Sequence, residues 1–219
     1  MDPKLLAIIQ ARCNSKRFPN KVLKDVYGNP LIFHVITRVL KSKKIKKIIV
    51  ATSKNKSDDK LVEYLKKIKI KYYRGSLKNV AERFLKAAES QKDDFFLRVN
   101  GDSPLIDPLL IDQAVKIFQK NKKYDLITNV FPRTFPKGQS VEIIKTSILK
   151  KNLSIMNIFE QEHITQFFYK NFKLFSIKNF KNVNKIKSIK LAIDTKQDLL
   201  NILKKFKKKQ FENYSILKS

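Results

Sequence analysis

Through the first 130 residues, short apolar runs alternate with stretches of helical periodicity. Leu5–Ile9 is an uninterrupted apolar run, the pattern of a strand buried on both faces, and further strands are expected at the apolar-rich runs Ile48–Ala51, Ile70–Tyr73, Phe95–Val99 and Asp125–Thr128. Between these runs the apolar positions recur every three or four residues. Leu31, Ile32, Val35, Ile36, Val39 and Leu40 follow Pro30, a favourable residue for the first turn of a helix. Leu61, Val62, Leu65 and Ile68 predict a helix from about Asp58, and Ala81, Phe84, Leu85 and Ala88 one from about Asn79. A further helix is expected near Pro108, with Leu110, Ile111, Ala114, Val115 and Phe118 on one face. Repeated strand–helix–strand units with short connections predict an α/β protein. Its central sheet should be mostly parallel and Rossmann-like, with helices on both faces.

After residue 130 the rhythm breaks. Phe131–Gln139 carries Pro132, Pro136 and Gly138 and reads as a loop or an edge extension. Strands are expected at Val141–Ile144, Phe172–Ile177 and Ile189–Ile193, and helices over 159–170 and from Thr195 with Leu199, Leu200, Ile202, Leu203 and Phe206. The Lys-rich stretch beyond Phe206 reads as a helix end and a ragged terminus. No internal repeat divides the chain, so one domain over residues 1–219 is expected.

Composition narrows the class. Hydrophobic residues make up 42% of the chain and charged ones 31%, which argues for a packed core over disorder. No run approaches the roughly 18 apolar residues of a membrane span, and the start MDPKLLAIIQ lacks a signal-peptide cleavage site. A single cysteine, Cys13, excludes an intrachain disulfide, and with two histidines a zinc site is not expected. The expectation is a soluble, cytoplasmic protein without a membrane partner.

The formal charge of +29 admits two readings, a polyanion partner or a lysine-rich surface that is merely well solvated. Of 48 basic residues only seven are arginine, at 12, 17, 38, 74, 83, 98 and 133, so lysine is the default cation. Lysines lie in scattered pairs such as Lys43-Lys44 and Lys66-Lys67, with no basic segment interleaved with exposed aromatics, which favours the solvated surface over a nucleic-acid footprint. Each arginine then marks a place that needs a planar, bidentate donor.

In an open parallel sheet, ligands bind beyond the carboxyl ends of the strands. Just past the first strand, Arg12, Lys16, Arg17 and Lys21 place four cations within a short loop, with Ser15 as a hydroxyl donor. Cations and backbone amides in a strand-to-helix loop form a phosphate cradle, and this one lacks the glycine pattern of a P-loop. Gly101-Asp102 follows the Phe95–Val99 strand, and Asp194 follows Leu191-Ala192-Ile193. Two carboxylates at strand ends facing a phosphate loop can hold Mg²⁺, with the phosphates supplying the remaining oxygens. The competing reading makes each aspartate a helix N-cap.

The string IIQARCNSKRFPNKVLKDVYGNPLIFHVITRV resembles the opening of the sugar cytidylyltransferases, in particular the group of the spore coat polysaccharide biosynthesis protein F. CMP-Kdo and CMP-sialic acid synthetases are more distant relatives of that group. The resemblance continues through Tyr73-Arg74-Gly75-Ser76, Arg98–Asp107, Glu162-His163-Ile164-Thr165 and Ile193-Asp194-Thr195 with Asp198, in the family's order over most of the chain. It implies a nucleotide-diphospho-sugar-transferase fold and transfer of CMP from CTP to an acidic sugar oxygen with release of pyrophosphate. It also implies a role in making surface polysaccharide, such as a spore coat, or glycoconjugate. Residues 131–180 would serve the acceptor sugar and a homodimer contact. Ala11, Arg12, Ser15, Arg17 and Lys21 would bind the nucleotide and its phosphates, and Gly75, Ser76 and Asn79 would lie against cytosine or ribose. Asp102 and Asp194 would ligate Mg²⁺, and Glu142, Glu162 and His163 would face the acceptor. The family loop usually carries glycine near Asn14 and Asn20; asparagine is the side chain best suited to left-handed backbone in its place.

The implied chemistry is in-line attack on the α-phosphorus, with Lys21, Arg17 and Asp102 as the catalytic set, working by position and charge. His163 has two open roles, a general base for the acceptor hydroxyl or a residue that orients it. His34 falls on an amphipathic helix and is expected to be structural, and Cys13 is expected to be a small loop residue. Phe167-Phe168-Tyr169 is expected in a core or dimer seam. The rival readings are a basic nucleic-acid-binding domain and a non-catalytic member of the same fold.

Overall fold

The protein is described by a computed structural model covering residues 5–182 and 189–217. Its framework is a seven-stranded sheet. In chain order the strands are β1 (Leu5–Gln10), β4 (Ile45–Ser53), β5 (Tyr72–Gly75), β6 (Phe95–Asn100), β7 (Leu126–Thr128), β8 (Glu142–Lys145) and β9 (Ile177–Asn179). A separate small hairpin joins β2 (Asp25–Val26) to β3 (Asn29–Pro30). The sheet order is β5-β4-β1-β6-β8-β7-β9, and only β8 runs against its neighbours.

Period-two geometry explains why β1 is apolar from Leu5 to Ile9, before the half-buried Gln10 at its end. Leu5, Ala7 and Ile9 face one layer and Leu6 and Ile8 the other, so each of these side chains is buried. The first layer holds α1 (Leu31–Leu40), α2 (Asp59–Lys67), α4 (Pro108–Lys120), α8 (Lys196–Lys205) and α9 (Lys208–Asn213). The second holds α3 (Val80–Glu89), α5 (Thr146–Asn152) and α7 (Ile164–Lys170), with α6 (Ile158–Glu162) leading into α7. The helix starts follow their caps: Asn79 accepts from Glu82 N, Asp107 from Leu109 N with Pro108 at the first turn, and Thr195 and Asp198 form a capping box.

The chain leaves β1 toward β4 on one side, whereas β6 adds to the other side, so β1 and β6 flank the point where the winding reverses. The turns following β1, β4, β5 and β6 therefore emerge side by side at the carboxyl edge. That edge is where the candidate residues gather.

Several expectations need correction beyond residue 145. The single helix over 159–170 is two short helices, because His163 leaves helical backbone at φ −117 and ψ 66. The strand expected over Phe172–Ile177 begins as a 3-10 turn, Phe172–Leu174, and only Ile177–Asn179 joins the sheet, beside β7. Ile189–Ile193 is not a sheet strand. Leu191 N donates to Lys137 O and Ile193 N to Asp102 O, so this segment is bonded to turns. Helix α5 was not read from the sequence, its short apolar face being split by lysines. The terminus after Phe206 is not ragged, since α9 and the turn beyond it bury Phe211 and Ile216. Arg38 donates to the carbonyls of Phe211 and Tyr214, and Asp107 accepts from Ser215 and from the amides of Ile216 and Leu217. The lysine run 207–209 and the polar residues around Phe211 hid those two apolar anchors. No helix among the described residues is long and apolar enough to cross a membrane.

Candidate active site

The loop leaving β1 is built around Cys13. Its carbonyl accepts both Ser15 N at 2.9 Å and Asn20 N at 2.8 Å, closing the loop on itself. Asn20 makes this possible with φ 56 and ψ 22, the left-handed backbone expected of it. Asn14 is not left-handed, so only one of the two asparagines carries that demand. Phe18 and Val22 are buried pegs that hold the loop against the core. Gly101, at the end of β6, lies against the root of the loop: its N donates to Gln10 O, and a Cβ there would stand 2.7 Å from that oxygen. Any side chain at 101 would push the β6 turn away from the loop.

This geometry turns Lys21 toward the acids. Its Nζ lies 2.9 Å from Asp102 Oδ2, 3.6 Å from Asp194 Oδ1 and 3.0 Å from the Ile193 carbonyl. Arg17 Nη2 is 3.2 Å from Asp194 Oδ1, and Lys190 Nζ is 3.0 Å from Asp194 Oδ2 and 2.7 Å from Asp198 Oδ2. Asp198 also accepts the amides of Asp194 and Thr195, shaping the turn that presents Asp194. Neither Asp102 nor Asp194 is a helix N-cap. Asp107 caps α4 and Thr195 caps α8, which removes the bland reading of both carboxylates. Burial raises the Asp194 carboxyl, but Lys190, Lys21 and Arg17 together outweigh it and hold it below its ordinary value. With its side chain 68% exposed, Arg17 adds little stability through its pair.

Asp102 and Asp194, both beside the Lys21 ammonium, also offer hard oxygen donors of the kind a divalent cation takes. Among the described residues no three His, Cys, Asp or Glu side chains come together, so a metal here would take two protein carboxylates and complete its shell elsewhere. That suits Mg²⁺, which retains water and phosphate oxygens as ligands.

The turn after β5 is held from within. Asn79 N donates to Ser76 Oγ at 3.0 Å while the Asn79 side chain caps α3, so Asn79 shapes the turn. Gly75 O accepts Lys54 N, Ser76 O accepts Arg83, and Leu77 O accepts Arg12 Nη1 at 3.4 Å. Arg12 also pairs with Glu162 at 2.8 Å, tying the β1 loop and the β5 turn to the end of α6. The hydrogen bond from Arg12 is the main reason the Glu162 carboxyl sits below its usual value. His163, next in the chain, is exposed, with its ring 4.7 Å from that of Phe159. Ala11 is buried at the loop root, its N bonded to Ala51 O, and Ser15 is half-buried in the loop.

Glu142 lies apart from this group. It is 2% exposed on β8, pairs with Arg98 and accepts Tyr169 OH at 2.6 Å, and Tyr169 in turn meets Thr128 at 2.7 Å. The structure thus brings Arg17, Lys21, Asp102 and Asp194 into one cluster and joins Arg12 to Glu162 beside it. It leaves Glu142 inside a buried strut. Sequence reasoning missed Lys190, indistinguishable among 41 lysines, and Asp58, which marked only the approximate start of a helix. It also gave no role to Arg83, fully buried on the apolar face of α3 and lowered to about 10 mainly by that burial; an arginine in an otherwise apolar stripe was the available signal.

The cytidylyltransferase family model matches residues 6–219. Spore coat polysaccharide biosynthesis protein SpsF of Bacillus subtilis (strain 168) is 30% identical over 207 residues, covering 90% of this chain and 84% of that protein. A 3-deoxy-manno-octulosonate cytidylyltransferase of Chlorobium phaeobacteroides (strain BS1) is 31% identical over 148 residues, 67% of this chain and 57% of that enzyme. The solved structure of a cytidylyltransferase from Leptospira borgpetersenii serovar Hardjo-bovis (strain JB197) matches with a TM-score of 0.85 and 30% identity, covering 98% of this chain and 99% of that one.

Proposed function

This chain belongs to the cytidylyltransferase family, and from that premise we propose that it transfers CMP from CTP to an acidic sugar of the ulosonic or nonulosonic type. Pyrophosphate leaves, and the activated sugar serves surface polysaccharide or glycoconjugate synthesis in the cytoplasm. The observation that carries the reading is the meeting of Arg17 and Lys21 with Asp102 and Asp194 at the carboxyl edge of the sheet.

Lys21, short of rotational freedom in its half-buried position, donates to the α-phosphate oxygens, where negative charge grows as the sugar oxygen attacks. Arg17, at the mouth of the loop, takes the β- and γ-phosphates with its planar fork. Asp102 and Asp194 would hold Mg²⁺, which would supply charge neutralisation for the phosphates and the departing pyrophosphate. The backbone of Ala11 and the Ser15 hydroxyl complete the cradle, and Gly75 and Ser76 line the base and ribose. The Arg12–Glu162 pair sets the border between nucleotide and acceptor, with His163 beside it for the sugar hydroxyl. Glu142 contributes from behind, through Arg98 and Tyr169, as part of the wall. The exposed apolar side chains of Ile155, Ile158, Phe159, Phe172 and Leu174 fall in the 131–180 portion and support a homodimer contact there.

A thermal-shift series with CTP, UTP, GTP and ATP, each with Mg²⁺, should give the largest rise for CTP. Pyrophosphate release from CTP should then depend on an added keto-acid sugar, with 3-deoxy-manno-octulosonate as the first probe. No CTP-dependent shift and no turnover with any sugar would remove the proposal. Light scattering of the purified chain checks the dimer.

A further inference from the structure

A loop that gathers phosphates needs a fixed root, and the root of this one is a carboxylate outside it. We propose that Asp58 is a positioning residue for the triphosphate site, setting the shape of the β1 loop through the backbone amide of Cys13. The inference rests on reading that loop as the triphosphate site.

Asp58 is fully buried in the 3-10 turn that leads into α2. Its oxygens divide their work. Oδ2 serves its own neighbourhood, accepting Ser53 N at 3.0 Å and the Ser53 hydroxyl. Oδ1 reaches across the carboxyl edge and accepts Cys13 N at 2.6 Å, a partner 45 residues away in sequence. A buried carboxylate is costly unless its lone pairs are met, and amides bonded to it are held more firmly than by a neutral oxygen.

Cys13 is where such a hold has most effect. Its amide is fixed by Asp58, its carbonyl closes the loop onto Ser15 N and Asn20 N, and Arg12 and Lys21 lie just outside the closed segment. Rotation of the peptide linking Arg12 to Cys13 would move Arg12 from Leu77 and Glu162 and loosen the turn that presents Lys21. The polar partners of the Lys21 and Arg17 side chains are Asp102, Asp194 and the Ile193 carbonyl, and those of the Asp58 carboxylate are Cys13 and Ser53. Dependence of the two cations on Asp58 therefore runs through the loop backbone. Burial, reinforced by Asp58, pushes the Cys13 thiol up to about 11, so it stays neutral beside the carboxylate at physiological pH.

The two jobs of the carboxylate can be separated by calorimetric titration with Mg²⁺–CTP. Asp58→Ala should raise Kd about tenfold or more, the effect of losing one charged hydrogen bond. Asp58→Asn, whose amide oxygen can still accept from Cys13, should recover to within about threefold of wild type. Ser53→Ala removes a local partner of Asp58 while sparing Cys13. It should lower Tm yet keep Kd within about twofold, since surface of the loop is untouched. The proposal is overturned if Asp58→Ala binds like wild type, or if Ser53→Ala loses as much affinity as Asp58→Ala. The wild-type chain supplies a readout that needs no variant and no nucleotide: the Cys13 amide should exchange its hydrogen as slowly as the amides of β1, and exchange at open-loop rates would sink the anchoring role. Failure of wild type to bind Mg²⁺–CTP would count against the triphosphate reading, while the exchange result still decides the anchor.

Discussion

Lys21 is the residue on which the site converges, since one ammonium touches two carboxylates and a carbonyl drawn from separate turns. Its removal should therefore do more than weaken binding. Lys21→Ala is expected to lower kcat by about 10²-fold or more in a pyrophosphate-release assay, because the donor acts where charge builds in the transition state. Asp102→Asn should shift the Mg²⁺ titration of nucleotide binding to higher concentration, and an unaltered titration would count against this aspartate as a ligand. Asn20 gives a sharper test of backbone chemistry. At φ 56 an alanine is strained and a glycine is not, so Asn20→Ala should cost about 1 kcal/mol in urea unfolding and Asn20→Gly much less.

At the scale of elements, legibility followed the source of stability. The strands buried on both faces and the helices with one apolar stripe were readable because side-chain burial alone specifies them, as in β1, β6 and α4. Helix α8, expected from Thr195, was readable for the same reason, but most elements between β8 and α8 were not, because long-range hydrogen bonds decide them. The Ile189–Ile193 segment has a strand's composition, yet its bonds go to Lys137 and Asp102 in turns. His163 interrupts what reads as one helix, and that interruption leaves Glu162 at a helix end where it pairs with Arg12. The loop cations and both acids were legible from their places just past apolar runs. The burial of Glu142 was not, since nothing in its local pattern announces Arg98 and Tyr169 as partners. The Arg12–Glu162 tie predicts an effect across elements. Glu162→Gln weakens it while retaining a hydrogen-bond acceptor, and should raise the KM for the acceptor more than that for CTP in initial-rate kinetics.

Over the whole molecule the formal charge is +29, and both proposed substrates, CTP and an acidic sugar, are anionic. Electrostatic steering should make kcat/KM fall as salt rises from 50 mM to about 300 mM, where the Debye length shrinks to roughly 6 Å. Acid should also destabilise the fold in a definite direction. Asp194, Asp198 and Glu162 are all held below their ordinary values, so their pairs stabilise the native state above the normal carboxylate range, and that contribution is lost as pH falls through the lowered values. Thermal melts between pH 7 and about pH 3 should show Tm declining chiefly below about pH 4.5, where carboxylates begin to titrate. The hydrogen bond from Ile193 N to Asp102 O has a different consequence. It sets the spacing of two acids that lie far apart along the chain, whatever the intervening polypeptide does. Because both partners in this bond are backbone groups, replacing the side chain of Ile193 or Asp102 would leave that spacing in place.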